Sequence, residues 1–298
     1  MKYSTAIAAL AGLSAAAPTQ KRASAPTDAD ILQYALTLEH LENTFYKEGL
    51  ANYTEADFAA AGYDSTFYNN IKTVGSDESS HVDFLTKGLT AAGASPVKPC
   101  TYAFGATDVK SFLATAAVLE GVGVSAYLGA AADIMSKTYL TAAGSILTVE
   151  ARHAAYIRAG VKQSPFPQPF DDPLSLNEVY TLAAQFITSC PSDNAALPVK
   201  AFPKLVASSN DASIKTGSTV LLSTPGYEVQ ADNGVTIYGA FITVTGPVVA
   251  EATKVEGGYT VKVPEGINGQ SYVVLTGCKD AVTDDTVAAG PAIVEISN

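Results

Sequence analysis

Four segments of the chain repeat apolar positions in alternating steps of three and four residues, the mark of a helix with one buried face. The first stripe runs Leu32, Ala35, Glu39, Glu42, Tyr46, and the second Ile71, Val74, Glu78, His81, Leu85. The third is Leu113, Ala117, Glu120, Val124, Tyr127, Ala131, and the fourth Ala143, Ile146, Glu150, His153, Ile157. Each stripe carries a carboxylate at its middle, and two carry Glu-x-x-His. Four carboxylates buried together would repel one another and lose their hydration. Bound cations are the expected compensation.

The helix ends are marked as well. Thr27 or Asp28 caps a first helix ending near Gly49, and Asp64 or Ser65 caps a second ending near Ala92 and Gly93. The third starts at Thr107 or Asp108, the fourth ends near Gly160, and a short join at 136–138 makes these two antiparallel neighbours. Between the second and third lie irregular residues 94–106, which reach roughly 45 Å when extended. A helix of about 28 residues is roughly 42 Å long, so this connection can cross the whole bundle and make the second and third helices parallel. Ser175 and Glu178 form a capping box that opens a fifth helix to about Ser189.

After Cys190 the helical stripes stop. Short runs rich in Val, Thr, Ile and Tyr replace them: Thr219–Ser223, Thr236–Val244, Pro247–Ala252, Tyr259–Val263, Tyr272–Leu275 and Ala292–Ile296. Gly, Pro and Asp/Asn punctuate these runs, as in a small antiparallel β-sandwich of immunoglobulin-like type. The expected organisation is therefore α+β: a helical bundle at 23–190, a linker at 191–204 and a β-sandwich at 205–298. Residues 1–22 have the Lys2 start, the apolar run Ala6–Ala16 and a small-residue site that together read as a signal peptide, with Lys21-Arg22 closing a short propeptide. Secretion to the exterior or the cell wall is the expectation.

Composition narrows the partners. The net charge is −11 with 16% charged residues, and no basic face is offered to a nucleic acid. The apolar stretch Phe112–Met135 imitates a membrane span, but Glu120 near its middle and its many Ala and Gly suit a buried bundle helix better. There are three cysteines. Cys100 and Cys190 fall at loop-like edges of the helical part and are the expected disulfide, which leaves Cys278 free, buried or paired between molecules. Asn52-Tyr53-Thr54 is the one glycosylation sequon, with Asn52 as acceptor.

The chemistry gathers on the stripes. The chain has three histidines, and His81 and His153 both follow a Glu by three residues, which places each pair on one helix face. With Glu39 and Glu120 they make the donor set of a di-metal carboxylate bundle. Four carboxylates balance two divalent ions, and oxygen and imidazole donors suit manganese, iron or zinc. Tyr46 and Tyr127 each follow their Glu by seven residues, which places them to bond a ligand carboxylate or to lie on a redox path. Glu42 shares the first stripe one turn after Glu39. It is either a further carboxylate ligand or a group at the mouth of the site, where it would shuttle protons.

The run Leu38-Glu39-His40-Leu41-Glu42-Asn43-Thr44-Phe45-Tyr46, the two Glu-x-x-His motifs and the Glu120 helix resemble the ferritin-like domain of secreted fungal stress-response and late-sexual-development proteins. Plant desiccation-related proteins are similar. The resemblance spans roughly 28–190, and Gly290-Pro291-Ala292-Ile293-Val294-Glu295 is similar to the tail of the fungal members. It implies a ferritin-like four-helix bundle holding two ions, manganese or iron. Fold alone does not choose the reaction. One expectation is a di-metal oxidoreductase acting on peroxide or dioxygen. The other is a non-catalytic extracellular stress or developmental protein whose metals are structural and whose β domain contacts a wall or another protein.

Overall fold

The computed structural model describes residues 25–229 and 235–297. The expected signal peptide and propeptide lie outside the described residues. Capping sets most helix starts. Thr27 and Asp30 form a capping box on α1 (Asp28–Asn52), and Asp64 caps α3 (Ser65–Ala91). Asp108 and Ser111 cap α4 (Val109–Ala130), and Ser136 caps α5 (Lys137–Gly160). The loop between α1 and α3 holds a further short helix, α2 (Glu55–Ala60), opened by a capping box of Thr54 and Asp57. Gly49 does not stop α1. The glycine is buried and leaves room for the Phe112 ring, which would lie 2.1 Å from a Cβ placed there.

Side-chain contacts fix the helix directions. Gln33 near the start of α1 donates to the Ser95 carbonyl just beyond α3, at 2.7 Å, so α1 and α3 run antiparallel. Tyr46 meets Glu120 while Tyr127 meets Glu39, so α1 and α4 are antiparallel too. It follows that α3 and α4 are parallel, and the chain between them crosses the length of the bundle. The crossover carries β1 (Thr101–Tyr102) and is tied by a disulfide from Cys100 to Cys190. The helical part is a four-helix bundle with one long crossover, and the antiparallel β-region follows it.

α6 is shorter than the periodicity suggests. It spans Leu176–Ala183, and Ile187–Ser189 instead forms β2, paired antiparallel with β1. The β-branched Ile187 and Thr188 favour a strand, and the Cys190 bridge holds this segment beside the crossover. The remaining strands are β3 (Val206–Ser208), β4 (Thr219–Ser223), β5 (Tyr238–Phe241), β6 (Val248–Glu251), β7 (Thr253–Val255), β8 (Gly258–Lys262), β9 (Gly269–Thr276) and β10 (Val287–Ile296). They form two four-stranded sheets, ordered β3-β4-β8-β7 and β10-β9-β5-β6. Val220, Leu222 and Val261 from the first sheet meet Phe241, Val273 and Leu275 from the second in one core.

The second sheet is buried on both faces. Along β9, Val273 and Leu275 enter the sandwich core while Tyr272 enters the bundle core. This explains why β9 reads as a continuous apolar run. Tyr272 donates its hydroxyl to the Gly121 carbonyl at 3.0 Å, and Gln270 donates to the Val118 carbonyl at 3.1 Å, both on α4. Arg158 of α5 forms a two-point ion pair with Glu295 of β10 at 2.9 and 2.7 Å. The apolar stretch that imitates a membrane span is α4 with the turn after it, and most of it is buried inside the protein.

Candidate metal centre

The four stripes converge at mid-bundle. Glu39, Glu78, Glu120 and Glu150 are fully buried, and His81 and His153 are 8% and 7% exposed. Two sets of donor atoms form there. Glu39, Glu78, His81 and Glu150 make one, and Glu78, Glu120, Glu150 and His153 make the other, with the atoms of each set within 4.8 Å of one another. Glu78 and Glu150 belong to both sets. Helical spacing accounts for this: each lies on the same helix face as its histidine, facing the Glu of a different helix.

Both histidines turn Nδ1 inward. His81 Nδ1 lies 3.2 Å from Glu39 and Glu150 and 3.3 Å from Glu78. His153 Nδ1 lies 3.1 Å from Glu78 and 3.3 Å from Glu120. Few of these contacts have hydrogen-bond geometry. Glu39 Oε2, Glu78 Oε1, Glu120 Oε2, both Glu150 oxygens and His153 Nδ1 are buried without a hydrogen-bond partner. Orphaned buried charge of this density is costly. Oxygen and nitrogen atoms facing inward about two points fit a pair of cations, so this donor set is compatible with a di-metal site.

The electrostatics say the same. Burial pushes the Glu150 carboxyl well above the usual carboxylate range, and the nearby Glu78 charge adds to it. Burial likewise raises Glu78, to about 7, against the opposing bonds from the two histidines. For the histidines burial acts downward, but the surrounding carboxylates outweigh it. They carry His153 up to about 11, and His81 is raised as well. Without bound ions, the clustered carboxylates draw protons onto both imidazoles and favour them on Glu78 and Glu150.

The two tyrosines reach across the bundle. Tyr127 on α4 donates to Glu39 on α1 at 2.5 Å, and Tyr46 on α1 donates to Glu120 on α4. Each orients a terminal carboxylate of the opposite helix pair. Glu42 belongs to neither donor set. It is 4% exposed, and burial raises its carboxyl well above the ordinary range, with Glu150 the largest charge contribution. Its Oε1 lies beside Gly123, where an added Cβ would stand 3.1 Å away.

Two participants lay outside the sequence reading. Asp77 reaches His153 Nε2 at 3.2 Å and fixes that ring from behind. Its position immediately before Glu78 was the available signal. Gly123, within the apolar α4, makes room for Glu42 and Glu150. Gly121 accommodates Gln270 of β9 rather than another helix. Asn52 is exposed at the end of α1, and the Thr54 of its sequon caps α2. Cys278 is half-buried and unpaired among the described residues.

Residues 27–163 match the family model described as ferritin-like domain. The chain is 28% identical over 178 residues to protein rds1 of Schizosaccharomyces pombe. That match covers 60% of this chain and 44% of the relative, so the chain spans less than half of that relative's length. A solved structure of a conserved hypothetical protein, Rv2844, from Mycobacterium tuberculosis aligns with a TM-score of 0.38 and 16% identity. It covers 45% of this chain and 91% of that one.

Proposed function

We propose that the bundle holds two divalent ions, manganese or iron, and that the protein uses them on peroxide or dioxygen outside the cell, in stress or development. The observation that carries this reading is the group of buried, unpartnered donor atoms on Glu39, Glu78, Glu120, Glu150 and His153. Two divalent charges would cancel four carboxylates, with both histidines neutral. Oxygen and imidazole donors without thiolate suit these metals rather than copper(I), and a redox role selects manganese or iron over zinc. The match of 27–163 to the ferritin-like domain supports it. The disulfide from Cys100 to Cys190 supports an oxidising compartment.

When bound, the metal pair would supply two-electron exchange with a small oxidant. The chain's own residues do the rest. Glu78 and Glu150 span both donor sets, and Tyr46 and Tyr127 hold Glu120 and Glu39 in fixed orientations. Burial raises the Glu42 carboxyl beside Glu150, which favours a bound proton there. Disproportionation of two peroxide molecules to two waters and dioxygen is the most economical reaction, because it needs no external reductant.

The test starts from the mature protein purified from its native secretion, by elemental analysis and by following peroxide loss. About two equivalents of manganese or iron and measurable turnover are expected. A folded protein that takes up neither metal on reconstitution overturns the centre. Full occupancy without turnover overturns the enzyme and leaves the non-catalytic, structural reading.

A further inference from the structure

The two sides of the centre differ in what lies next to them. The histidines come from α3 and α5 and fill that side, with Asp77 behind one of them. On the opposite side, α1 and α4 present Glu42 and Gly123. Beyond these two residues lies a cavity of about 120 Å³. Its walls are Leu38, Val122, Leu182, Phe186 and Ile293, drawn from α1, α4, the end of α6 and β10. An apolar cavity of about this size stays dry and takes up small nonpolar molecules.

Gly123 and Glu42 form the boundary between cavity and centre. An added Cβ there would lie 2.9 Å from Glu150 Oε2 and 3.1 Å from Glu42 Oε1. The missing methyl therefore lets the Glu42 and Glu150 carboxylates close against α4, and Glu150 is shared by both donor sets. Glu150 Oε2 has no hydrogen-bond partner. Glu42 belongs to the cavity wall and also stands against the centre.

We infer that this cavity is the passage for dioxygen between the centre and the α6–β10 face, with Glu42 and Gly123 at its inner end. The inference rests on the proposed di-metal reading and deepens it. Peroxide is strongly hydrated and finds no hydrogen-bonding wall here except at Glu42 and Gln185. Dioxygen needs none. The passage serves dioxygen as substrate or as the product of peroxide disproportionation.

The first experiment needs no metal. Dioxygen is paramagnetic, so under a few bar of it the methyl carbons of Val122, Leu182 and Ile293 should relax faster. The comparison is with Leu36 and Leu89, fully buried in a separate cluster. Ile293→Phe, placed at the partly buried outer wall, should abolish the excess. Equal relaxation at both groups overturns the inference, whatever the metal content.

The second experiment loads wild type with iron(II) and follows nitric oxide binding by absorbance. Ile293→Phe should slow association at least fivefold at equal iron content, and Gly123→Ala should slow it further. If Gly123→Ala loses iron, Ile293→Phe decides alone. Wild-type rates in Ile293→Phe overturn the passage. A wild-type protein that takes no iron overturns the centre instead, and the metal-free relaxation experiment still decides whether dioxygen occupies the cavity.

Discussion

The helix pair α1 and α3 and the helix pair α4 and α5 carry the same chemistry at the same spacings. Glu39 answers Glu120, Tyr46 answers Tyr127, and Glu78 with His81 answers Glu150 with His153. They differ in three places. Glu42 stands where the second pair has Gly123. Asp77, before Glu78, stands where Val149 precedes Glu150. The outer side of α1 packs on Val97 of the crossover, through Gln33 and His40, whereas α4 is backed by Gln270 and Tyr272 of β9. What the pairs share builds a donor set that is nearly symmetric. The differences give that set a direction: a buried carboxyl leans over a glycine on one face, and among the described residues only His153 has a carboxylate behind it.

The shared part breaks most severely at the residues common to both donor sets. Glu78→Gln and Glu150→Gln should each lower affinity for both ions, by at least ~100-fold, read by metal titration. The same substitutions remove a buried, repelled carboxylate. The metal-free protein should therefore become more stable above about pH 7, where Glu78 would otherwise ionise, seen as a Tm higher by several degrees for Glu78→Gln. Glu39→Gln and Glu120→Gln should each weaken only one of the two binding steps. A symmetric loss from all four variants would deny that Glu78 and Glu150 are shared.

Both helix pairs pose one charge problem, and pH exposes it. In the metal-free protein, Glu78 has a folded pKa raised from 4.5 to about 7. The folded state then binds more protons than the unfolded chain between these values, so stability falls as pH rises through that window. His153 is raised from 6.5 to about 11. The stability it contributes is complete below 6.5 and lost as pH rises toward 11. Both effects have one sign. The metal-free Tm should peak near pH 5 and drop by several degrees by pH 8, while saturating manganese removes the drop or reverses it. A metal-free Tm that rises over this interval would contradict the charge pattern described.

The tyrosines sharpen the pairing further. Tyr46→Phe frees Glu120 and should weaken the ion on the His153 side. Tyr127→Phe frees Glu39 and should weaken the ion on the His81 side. Each loss should be about 10-fold in affinity, at the low end for a residue that orients a ligand. Binding isotherms that show both variants weakening the same step would break the crosswise assignment.

Much of this centre was legible because a helix puts positions three, four and seven apart on one face. The stripes therefore reveal Glu39, Glu78, His81, Glu120, Glu150, His153 and both tyrosine spacings at once. They do not reveal that Tyr46 reaches Glu120 rather than its own Glu39, which depends on how α1 packs against α4. Nor do they reveal Gln270 against Gly121, a contact between residues far apart in the chain. Two misses had local signals. Thr54 and Asp57 are a capping box inside what reads as a polar loop, and Ile187-Thr188 is β-branched at the end of what reads as a helix. The role of Gly123 had no local signal, because a glycine within an apolar helix commonly means close packing.

The smallest expected effect tests whether the β-region steadies only the second helix pair. Tyr272→Phe removes the hydroxyl that donates to the Gly121 carbonyl and accepts from Ser125 at 3.0 Å. A buried hydrogen bond of this kind is worth about 1 kcal/mol, so Tm should fall by roughly 2–4 °C. Glu120 is the residue next to Gly121. A looser α4 there should weaken the ion on the His153 side by about 2- to 3-fold and leave the other ion untouched. The comparison variant is Gln33→Ala, which removes the bonds to Ser95 and Val97 behind α1. If α1 is held independently of the sheet, that change affects the His81 side alone. Equal losses on both sides from either variant would mean that the bundle responds as one rigid body and that the β-region has no preferred partner in it.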